Sequence, residues 1–247
     1  MTTEACVPEQ DEITHDTLLR GRVKLFQPRR GFRSSLDPVL LAGFIVPPLG
    51  HFLDIGCASG ALSFLLLARD ATARGVGVEI QPRLAALAKQ GAEANGFAHR
   101  FRVVTGDVRA DGAVPAQAFN WVATNPPFRP VGEGALPPLS EKAMANHEVT
   151  LALSEWLDVA ATALNTDGRL ATIFPFDRWS ELRDGLAAHG FFVAHSREVV
   201  SRAGEVPNRI LVEAARSAVE ARIEPALVVH DGQGYSMEVR RMLGEET

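Results

Sequence analysis

Cysteine and long apolar runs are scarce in this sequence. The chain of 247 residues has two cysteines, Cys6 and Cys57, and their separation forms neither a metal-ligand spacing nor a disulfide framework. The longest apolar stretch, residues 61–68, is too short to span a bilayer. The first thirteen residues are rich in acids and lack the apolar centre of a signal peptide. We therefore expect a protein of the reducing cytoplasm, with no bound metal and no membrane contact.

The alternation of strand-like and helix-like segments predicts an α/β fold. Helix signals occur at residues 36–46, 81–95, 148–164 and 178–189, and strand signals at 51–55, 75–79, 101–105, 121–124, 168–174, 191–200 and 209–215. This alternation predicts a doubly wound, mainly parallel sheet of seven strands. We expect residues 1–13 to be disordered, residues 14–50 to form a hairpin and a helix as an N-terminal extension, and residues 51–247 to form the α/β domain. A monomer is favoured.

The segment Asn125-Pro126-Pro127-Phe128 follows the fourth predicted strand. Two prolines lack backbone N–H donors and restrict φ, so the chain leaves the sheet rigidly and presents an amide and an aromatic ring. The side-chain oxygen of asparagine accepts hydrogen bonds from an amine, and an aromatic ring stacks on a flat base. The segment is therefore predicted to hold a planar nitrogenous substrate, although a simple turn explains it equally well when it is taken alone.

A second motif, Asp54 to Gly60, joins a strand to the start of a helix. Its glycines allow a ligand to approach the backbone closely, and the helix N-terminus offers N–H donors. The acid at Asp54 disfavours a pyrophosphate, and the Gly-x-Gly-x-x-Gly fingerprint of a dinucleotide site is absent. A ligand with an ammonium group, a ribose and no phosphate fits better, and S-adenosylmethionine is such a ligand.

Two further acids end the next two predicted strands. Glu79 lies where an acid can accept hydrogen bonds from the hydroxyls of a ribose, and Asp107 where one can accept from the amino group of an adenine. Each acid alone is explained as readily by a solvated strand end. Their order, together with Asp54 and the Asn-Pro-Pro-Phe segment, indicates one ligand site along the carboxyl ends of the strands.

These motifs resemble those of class I S-adenosylmethionine-dependent methyltransferases, specifically the branch that methylates amines and carries an Asn/Asp-Pro-Pro-aromatic motif. Residues 21–28 and 31–42 further resemble the N-terminus of bacterial tRNA adenine-N6 methyltransferases that act beside the anticodon of a valine tRNA. The resemblance covers about residues 14–243. It implies methyl transfer from S-adenosylmethionine to the N6 atom of an adenine in tRNA.

The resemblance also implies a role for each motif residue. The target base would be held by the catalytic residues Asn125, Pro126, Pro127 and Phe128. The implied cofactor ligands are Arg33, Asp37, Asp54, Gly56, Cys57, Gly60, Glu79, Ile80, Asp107, Val108 and Asn125. Ala58 departs from the commoner glycine-rich loop, and we expect it to fit there only with a negative φ.

Positive charge is scarce overall but concentrated near the N-terminus. A net charge of −5 argues against a polyanionic partner. No acid lies between Asp16 and Asp37, however, and we predict that this basic arm contacts RNA. Its predicted contacts are Arg20, Arg22, Lys24, Arg29 and Arg30. The competing interpretation is a charged hairpin edge that prevents aggregation.

Other functions compete with the adenine-N6 prediction. Protein-glutamine N5 methyltransferases of release factors and guanine-N2 methyltransferases of small-subunit rRNA also carry an Asn-Pro-Pro-aromatic motif. A nicotinamide oxidoreductase is disfavoured by Asp54 and by the missing glycine fingerprint. A non-catalytic RNA-binding protein of the same fold is disfavoured by the intact segment from Asn125 to Phe128.

Overall fold

The computed structural model describes residues 13–126 and 151–245 of the chain. The strands are β1 Ile13–Leu18, β2 Val23–Pro28, β3 His51–Ile55, β4 Arg74–Glu79, β5 Phe101–Thr105, β6 Phe119–Thr124, β7 Leu164–Pro175, β8 Phe192–Val200, β9 Arg209–Ala215, β10 Arg222–Val228, β11 His230–Asp231 and β12 Gly234–Tyr235. The helices in these ranges are α1 Asp37–Phe44, α2 Ala61–Arg69, α3 Pro82–Ala94, α4 Leu153–Ala163, α5 Trp179–Ala188 and α6 Met237–Met242, with a 3-10 turn at Phe176–Arg178.

A single large sheet forms the centre of the molecule. Its strand order is β10-β8-β9-β7-β6-β3-β4-β5, and β9 alone runs antiparallel to its neighbours. The predicted mainly parallel, doubly wound sheet is therefore confirmed. Because β3, β4, β5, β6 and β7 are parallel, their carboxyl ends lie along one edge, where ligands bind in sheets of this kind. We call it the carboxyl edge.

The predicted number of seven strands is wrong, because β10 pairs with β8 as an eighth. Pro225 lies within β10, and a proline disfavours the prediction of a strand from sequence. A proline is tolerated there because β10 is an edge strand, and its register with β8 is irregular between Glu224 and Leu227.

Helices cover both faces of the sheet, as alternating strands and helices require. On one face, α1 and α2 bury Leu41 and Phe64 in a core shared with Phe52 of β3. On the other face, α4 and α5 bury Trp156 and Leu182 against the remaining strand side chains. No helix in the two described ranges is long and apolar enough to cross a membrane.

The helices begin and end close to the predicted bounds. The helix predicted at 36–46 is α1, the one at 81–95 is α3 and the one at 178–189 is α5. The helix predicted at 148–164 begins at Leu153 in the described part of the chain, and residues 148–150 lie outside it. Pro82 opens α3 and Gly96 follows its end, which is the arrangement that helix-capping preferences favour.

The N-terminal extension is a hairpin followed by a helix, as predicted. Strand β1 pairs antiparallel with β2 from Ile13, which faces Pro28, to Leu18, which faces Val23. Ile13 thus belongs to the hairpin, and the predicted boundary of a disordered segment at residue 13 is wrong at that position. Residues 1–12 lie outside the described part of the chain.

Candidate active site

The parallel register brings the predicted site residues to the carboxyl edge of the sheet. Ile55 of β3 is paired with Thr124 of β6 on one side and with Val78 of β4 on the other. Asn125 and Gly56 therefore leave adjacent strands at the same level, beside Glu79. Neighbouring strands lie about 4.8 Å apart, so the three strand intervals from β6 to β5 span roughly 14 Å.

A cavity opens at this edge, between the loop that follows β3 and the segment that precedes α1. Among its lining residues are Asp54, Gly56, Cys57 and Asn125. Phe32 and Ser34 line it from the N-terminal extension. Four of the predicted site residues thus meet around one cavity, and the extension supplies part of the wall.

Asp54 lies at the bottom of the cavity with almost no solvent exposure. Its side chain is 1% exposed, and Ser63 of α2 donates a hydrogen bond of 2.5 Å to its Oδ2 atom. Burial raises the pKa of Asp54 to about 7, the Ser63 hydrogen bond opposes this rise, and the nearby Glu79 adds to it. No cation is paired with Asp54 among the described residues, so a bound ammonium group has a buried carboxylate to neutralise.

The loop from Gly56 to Gly60 is held by backbone contacts to its neighbours. Gly56 has a φ of +72°, and both Gly56 and Cys57 donate backbone hydrogen bonds to the carbonyl of Val78. The thiol of Cys57 is buried, and burial raises its pKa, so it stays protonated. Gly60 caps the start of α2.

The expectation that Ala58 has a negative φ is wrong, since its φ is +48°. This conformation points the backbone N–H of Ala58 at Oε2 of Glu79, 2.9 Å away. The hydrogen bond to a buried carboxylate offsets the strain of a left-handed alanine, which is of order 1–2 kcal/mol.

Glu79 is buried at the end of β4. Its Oε1 accepts a hydrogen bond of 2.8 Å from the backbone N–H of Gln81, and its Oε2 accepts the one from Ala58. These two bonds hold the carboxylate at the end of β4, next to the loop from Gly56 to Gly60. The side chain of Ile80, next in the chain, is 41% exposed and offers an apolar surface for a flat ring.

Asp107 and Val108 follow β5 at the far end of the same edge. The carboxylate of Asp107 is partly exposed and is paired with Arg109 at 2.6 Å. Val108 is partly buried and packs against the core below α4. Both residues lie at the end of the strand next to β4, and neither is among the lining residues of the cavity.

Arg33 and Asp37 have partners within the protein. The guanidinium of Arg33 donates to Asp16 at 2.8 Å and to the hydroxyl of Thr14 at 2.6 Å, both on β1. Asp37 is paired with Arg209 at 3.4 Å. Arg33 therefore fixes its own loop to the hairpin, while its neighbours Phe32 and Ser34 reach the cavity.

Asn125 carries an amide oxygen that has no hydrogen-bond partner among the described residues, although the atom is buried. The preceding residue, Thr124, donates its hydroxyl to the carbonyl of Ile55 at 2.9 Å and fixes the end of β6. A buried acceptor without a donor is costly, so it indicates a site for an N–H group from outside the protein. Pro126 is described and buried, whereas Pro127 and Phe128 lie outside the described residues.

The structure divides the predicted basic arm between two ends of the hairpin. Lys24 exchanges backbone hydrogen bonds with the amide of Asn95, at the end of α3 away from the cavity. Arg20 and Arg22 lie in the adjoining turn, on the same side. Arg29 and Arg30 follow β2 at its other end, roughly 16 Å along the strand, and directly precede the cavity-lining segment.

A sequence profile described as the methyltransferase small domain matches residues 37–176, more than half of the chain. The chain belongs to this methyltransferase family. It is similar to the tRNA1(Val) (adenine(37)-N6)-methyltransferase of Porphyromonas gingivalis, with 32% identity over 225 residues that cover 87% of this chain and 88% of the relative.

A second sequence relative and a solved structure are also similar to the chain. The protein of the same name from Mannheimia succiniciproducens is 26% identical over 203 residues, which cover 82% of this chain and 81% of that one. In fold, the chain is similar to a crystal structure of a predicted O-methyltransferase from Agrobacterium tumefaciens, with a TM-score of 0.67, 22% identity and coverage of 83% and 94%.

As a member of the methyltransferase small-domain family, the chain is an S-adenosylmethionine-dependent methyltransferase. The acids at the carboxyl edge fit this cofactor, because the buried Asp54, which lines the cavity, suits an ammonium group, and Glu79, at the end of the neighbouring strand, carries a carboxylate of the kind that binds ribose hydroxyls. Sequence reasoning missed Ser63, Ser34 and Phe32. Serine and phenylalanine carry no signal in a single sequence. The hydrogen bond from Ser63 depends on its place in the first turn of α2, above the end of β3.

Proposed function

We propose that this methyltransferase transfers a methyl group from S-adenosylmethionine to the N6 atom of an adenine in tRNA, in the cytoplasm. The observation that carries the proposal is the buried amide oxygen of Asn125, which has no partner among the described residues and lies at the cavity. The similarity to relatives named as tRNA adenine-N6 methyltransferases supports the choice of acceptor.

The residues of the chain would act mainly by positioning. An adenine amine is a poor nucleophile because its lone pair is delocalised into the ring. A hydrogen bond from this amine to Oδ1 of Asn125 increases the electron density on nitrogen and orients it. S-adenosylmethionine, when bound, supplies an electrophilic sulfonium methyl group. The reaction then needs no strong base, since the amine can lose its proton to water after transfer.

Asp54 and Glu79 would fix the cofactor relative to Asn125. In the proposed arrangement, the Asp54 carboxylate binds the ammonium group and the Glu79 carboxylate accepts from ribose hydroxyls. The target adenine has to leave its stack to reach the cavity, as in other enzymes that modify a base. Arg29 and Arg30 are exposed beside the cavity and can bind the phosphates around such an extruded nucleotide.

The test incubates the protein with labelled S-adenosylmethionine and, in separate reactions, with tRNA or rRNA from a strain that lacks the gene or with a release factor. We expect label in N6-methyladenosine. Label in a release factor or in guanine of rRNA, with none in tRNA, would replace the proposed acceptor by one of the two competing ones.

Asn125→Ala tests the proposed role of the amide. We expect kcat to fall by roughly 100-fold while cofactor binding is retained, which is typical for the loss of one oriented polar group in an active site. Asn165→Ala is the matched control, because Asn165 also has a buried amide oxygen without a described partner but lies at the opposite end of the sheet, at the start of β7. Full activity of Asn125→Ala would remove Asn125 from the mechanism.

A further inference from the structure

Strands β8 and β10 also end at the carboxyl edge, because β9 alone runs antiparallel in the sheet. Directly after β10, the chain forms a short antiparallel ribbon from β11 and β12, in which His230 is paired with Tyr235. The backbone N–H of His230 donates a hydrogen bond of 2.9 Å to the carbonyl of Ser201, the residue that follows β8. The ribbon is therefore fixed to the ends of these strands, on the same edge of the sheet as Asn125.

Tyr235 presents an aromatic ring at the surface of this ribbon. The residue is 38% exposed, and its ring stacks on that of His230, with the centroids 5.2 Å apart and the planes inclined by 25°. Side chains alternate between the faces of a strand, so Asp231, the next residue after His230, directs its carboxylate to the opposite face of the ribbon. An exposed ring that is supported by a second ring is a surface on which an unpaired base can stack.

Two exposed arginines are held against the ribbon by backbone carbonyls. Nη1 of Arg202 donates to the carbonyl of Gly232 at 2.8 Å, and Nε of Arg240 donates to the carbonyl of Tyr235 at 2.7 Å. Neither arginine forms a salt bridge with an acid among the described residues. A carbonyl orients a guanidinium without cancelling its charge, so both can bind a phosphate. Glu205, in the loop after β8, is exposed and offsets part of this positive charge.

Other arginines at this end of the sheet have their charge balanced within the protein. Arg197 forms a salt bridge with Glu238 of α6, and Arg209 forms one with Asp37 of α1. Arg202 and Arg240 differ from them because their partners at the ribbon are uncharged. Two such guanidinium groups beside an exposed ring suit a ligand that carries both phosphates and planar bases, which is a nucleic acid strand.

We propose that the ribbon patch, formed by Arg202, His230, Tyr235 and Arg240, is a second contact for the RNA substrate. Tyr235 stacks with an unpaired base, and the two arginines bind phosphates of the same strand. This inference rests on the proposed tRNA substrate. Four strand intervals separate β6 from β10, so the patch lies roughly 19 Å from the proposed position of the target base at Asn125. A single extruded nucleotide cannot fill both places, so the patch favours a target adenine within an unpaired loop.

Fluorine NMR tests the stacking directly, because Tyr235 is the only tyrosine of the chain. Incorporation of 3-fluorotyrosine therefore gives a single resonance from the ribbon patch. We expect an anticodon stem-loop to shift this resonance, with the same affinity that a separate binding measurement gives, and S-adenosylhomocysteine alone to leave it in place. An unshifted resonance at saturating RNA would overturn the proposal.

Variants of Tyr235 measure what the ring contributes. Tyr235→Ala should raise the KM for tRNA roughly fivefold or more, as expected for the loss of one stacked base, and leave kcat and cofactor affinity within about twofold. Tyr235→Phe keeps the ring and should retain the original KM. Phe192→Ala is the matched control, because Phe192 is an exposed aromatic residue at the start of β8, on the other edge of the sheet. Equal KM increases in Tyr235→Phe and Tyr235→Ala would contradict stacking.

Variants of the two arginines measure the phosphate contacts. Arg202→Ala/Arg240→Ala should reduce the slope of log affinity for tRNA against log salt by roughly 1.4 to 1.8, which corresponds to two contacts. Arg102→Ala/Arg183→Ala removes the same charge from exposed positions on β5 and α5 and should leave the slope nearly unchanged. Equal slopes for the two double variants would overturn the phosphate contacts. Thermal midpoints establish that each variant is folded.

The failure of the ribbon patch can be distinguished from the failure of the proposed function. If the unaltered protein binds and methylates tRNA, and the Tyr235 and arginine variants do so equally well, the patch has no role and the tRNA methyltransferase assignment stands. If the unaltered protein methylates a release factor and does not bind tRNA, both proposals fail, and any effect of Tyr235→Ala on that reaction would assign the patch to a protein partner.

Discussion

Ser63 donates a hydrogen bond of 2.5 Å to Asp54, across the start of helix α2, and both side chains are buried. The bond fixes the carboxylate and lowers its pKa. Burial raises the pKa by more, and the net result is a pKa of about 7 for Asp54. Near neutral pH, Asp54 is therefore divided between a neutral and a charged form. A cationic ligand selects the charged form, which couples ligand binding to proton release.

Binding of S-adenosylhomocysteine should strengthen as pH rises through 7. Below that pH Asp54 is protonated and cannot pair with the ammonium group of the ligand, and above it the carboxylate is charged. Calorimetry between pH 5.5 and 8.5, in buffers of different ionisation enthalpy, measures the affinity and the proton released. Asp54→Asn should bind weakly and lose this pH dependence. A flat profile in the unaltered protein would contradict the assignment of Asp54.

The raised pKa of Asp54 has the opposite effect on the stability of the ligand-free protein, which should fall as pH rises. The unfolded chain loses the Asp54 proton near its ordinary pKa of 3.8, and the folded protein retains it to about 7. Stability should therefore fall as pH rises between these values, by an amount on the order of 4 kcal/mol for this group. Asp54→Asn should raise the thermal midpoint at pH 8, since it removes a buried charge. An unchanged or lower midpoint would show that Asp54 is already compensated.

Gly56→Ala should abolish cofactor binding without unfolding the protein. Gly56 has a φ of +72° and lines the cavity, and a methyl group added there meets no protein atom within 4 Å, so it would take up space that a bound ligand needs. The backbone strain costs about 1–2 kcal/mol. The measurement is S-adenosylhomocysteine affinity together with the thermal midpoint.

Gly96→Ala provides the matched control for Gly56→Ala. Gly96 follows α3 with a φ of +70°, and a methyl group there also meets no atom within 4 Å. It lies at the end of α3 away from the cavity. Both variants should lose similar stability, and only Gly56→Ala should lose ligand binding. Similar binding by both variants would show that the cavity is not the cofactor site.

The residues at the strand ends were easier to predict from the sequence than the side-chain partners of the site residues. Asp54, Glu79 and Asp107 were found because parallel strands place their carboxyl ends on one edge, a rule that needs only the order of the strands. The pairing of Arg33 with Asp16 depends on the hairpin register, which places Thr14 and Asp16 opposite Gln27 and Leu25. Side-chain partners of this kind are decided by the packing of elements and leave no local pattern.

The eighth strand and the conformation of Ala58 were missed for related reasons. Pro225 disfavours a strand in isolation, but an edge position removes the penalty. Local sequence preference disfavours an alanine with a positive φ, but at Ala58 this conformation allows the backbone N–H to donate a hydrogen bond to the carboxylate of Glu79. In both cases a contact made elsewhere in the fold overrides the local preference.

The division of the basic arm predicts unequal effects on RNA binding. Arg29 and Arg30 are exposed beside the cavity, and the described residues provide no partner for either, whereas Arg20 and Arg22 lie in the turn at the far end of the hairpin. Because a phosphate contact beside the target nucleotide also positions the base, Arg29→Ala/Arg30→Ala should raise KM for tRNA at least tenfold. Arg20→Ala/Arg22→Ala, with the same loss of charge, should raise it by less than about threefold.

Salt dependence separates direct contacts from long-range attraction. Each lost phosphate contact reduces the slope of log affinity against log salt by about 0.7 to 0.9, so removal of Arg29 and Arg30 should reduce it by roughly 1.4 to 1.8. The pair at Arg20 and Arg22 should leave the slope nearly unchanged. Binding of tRNA measured from 50 to 300 mM salt without added S-adenosylmethionine isolates this effect from turnover. Equal slopes for both double variants would mean that RNA runs along the whole hairpin, and the far end would then belong to the RNA-binding surface as well.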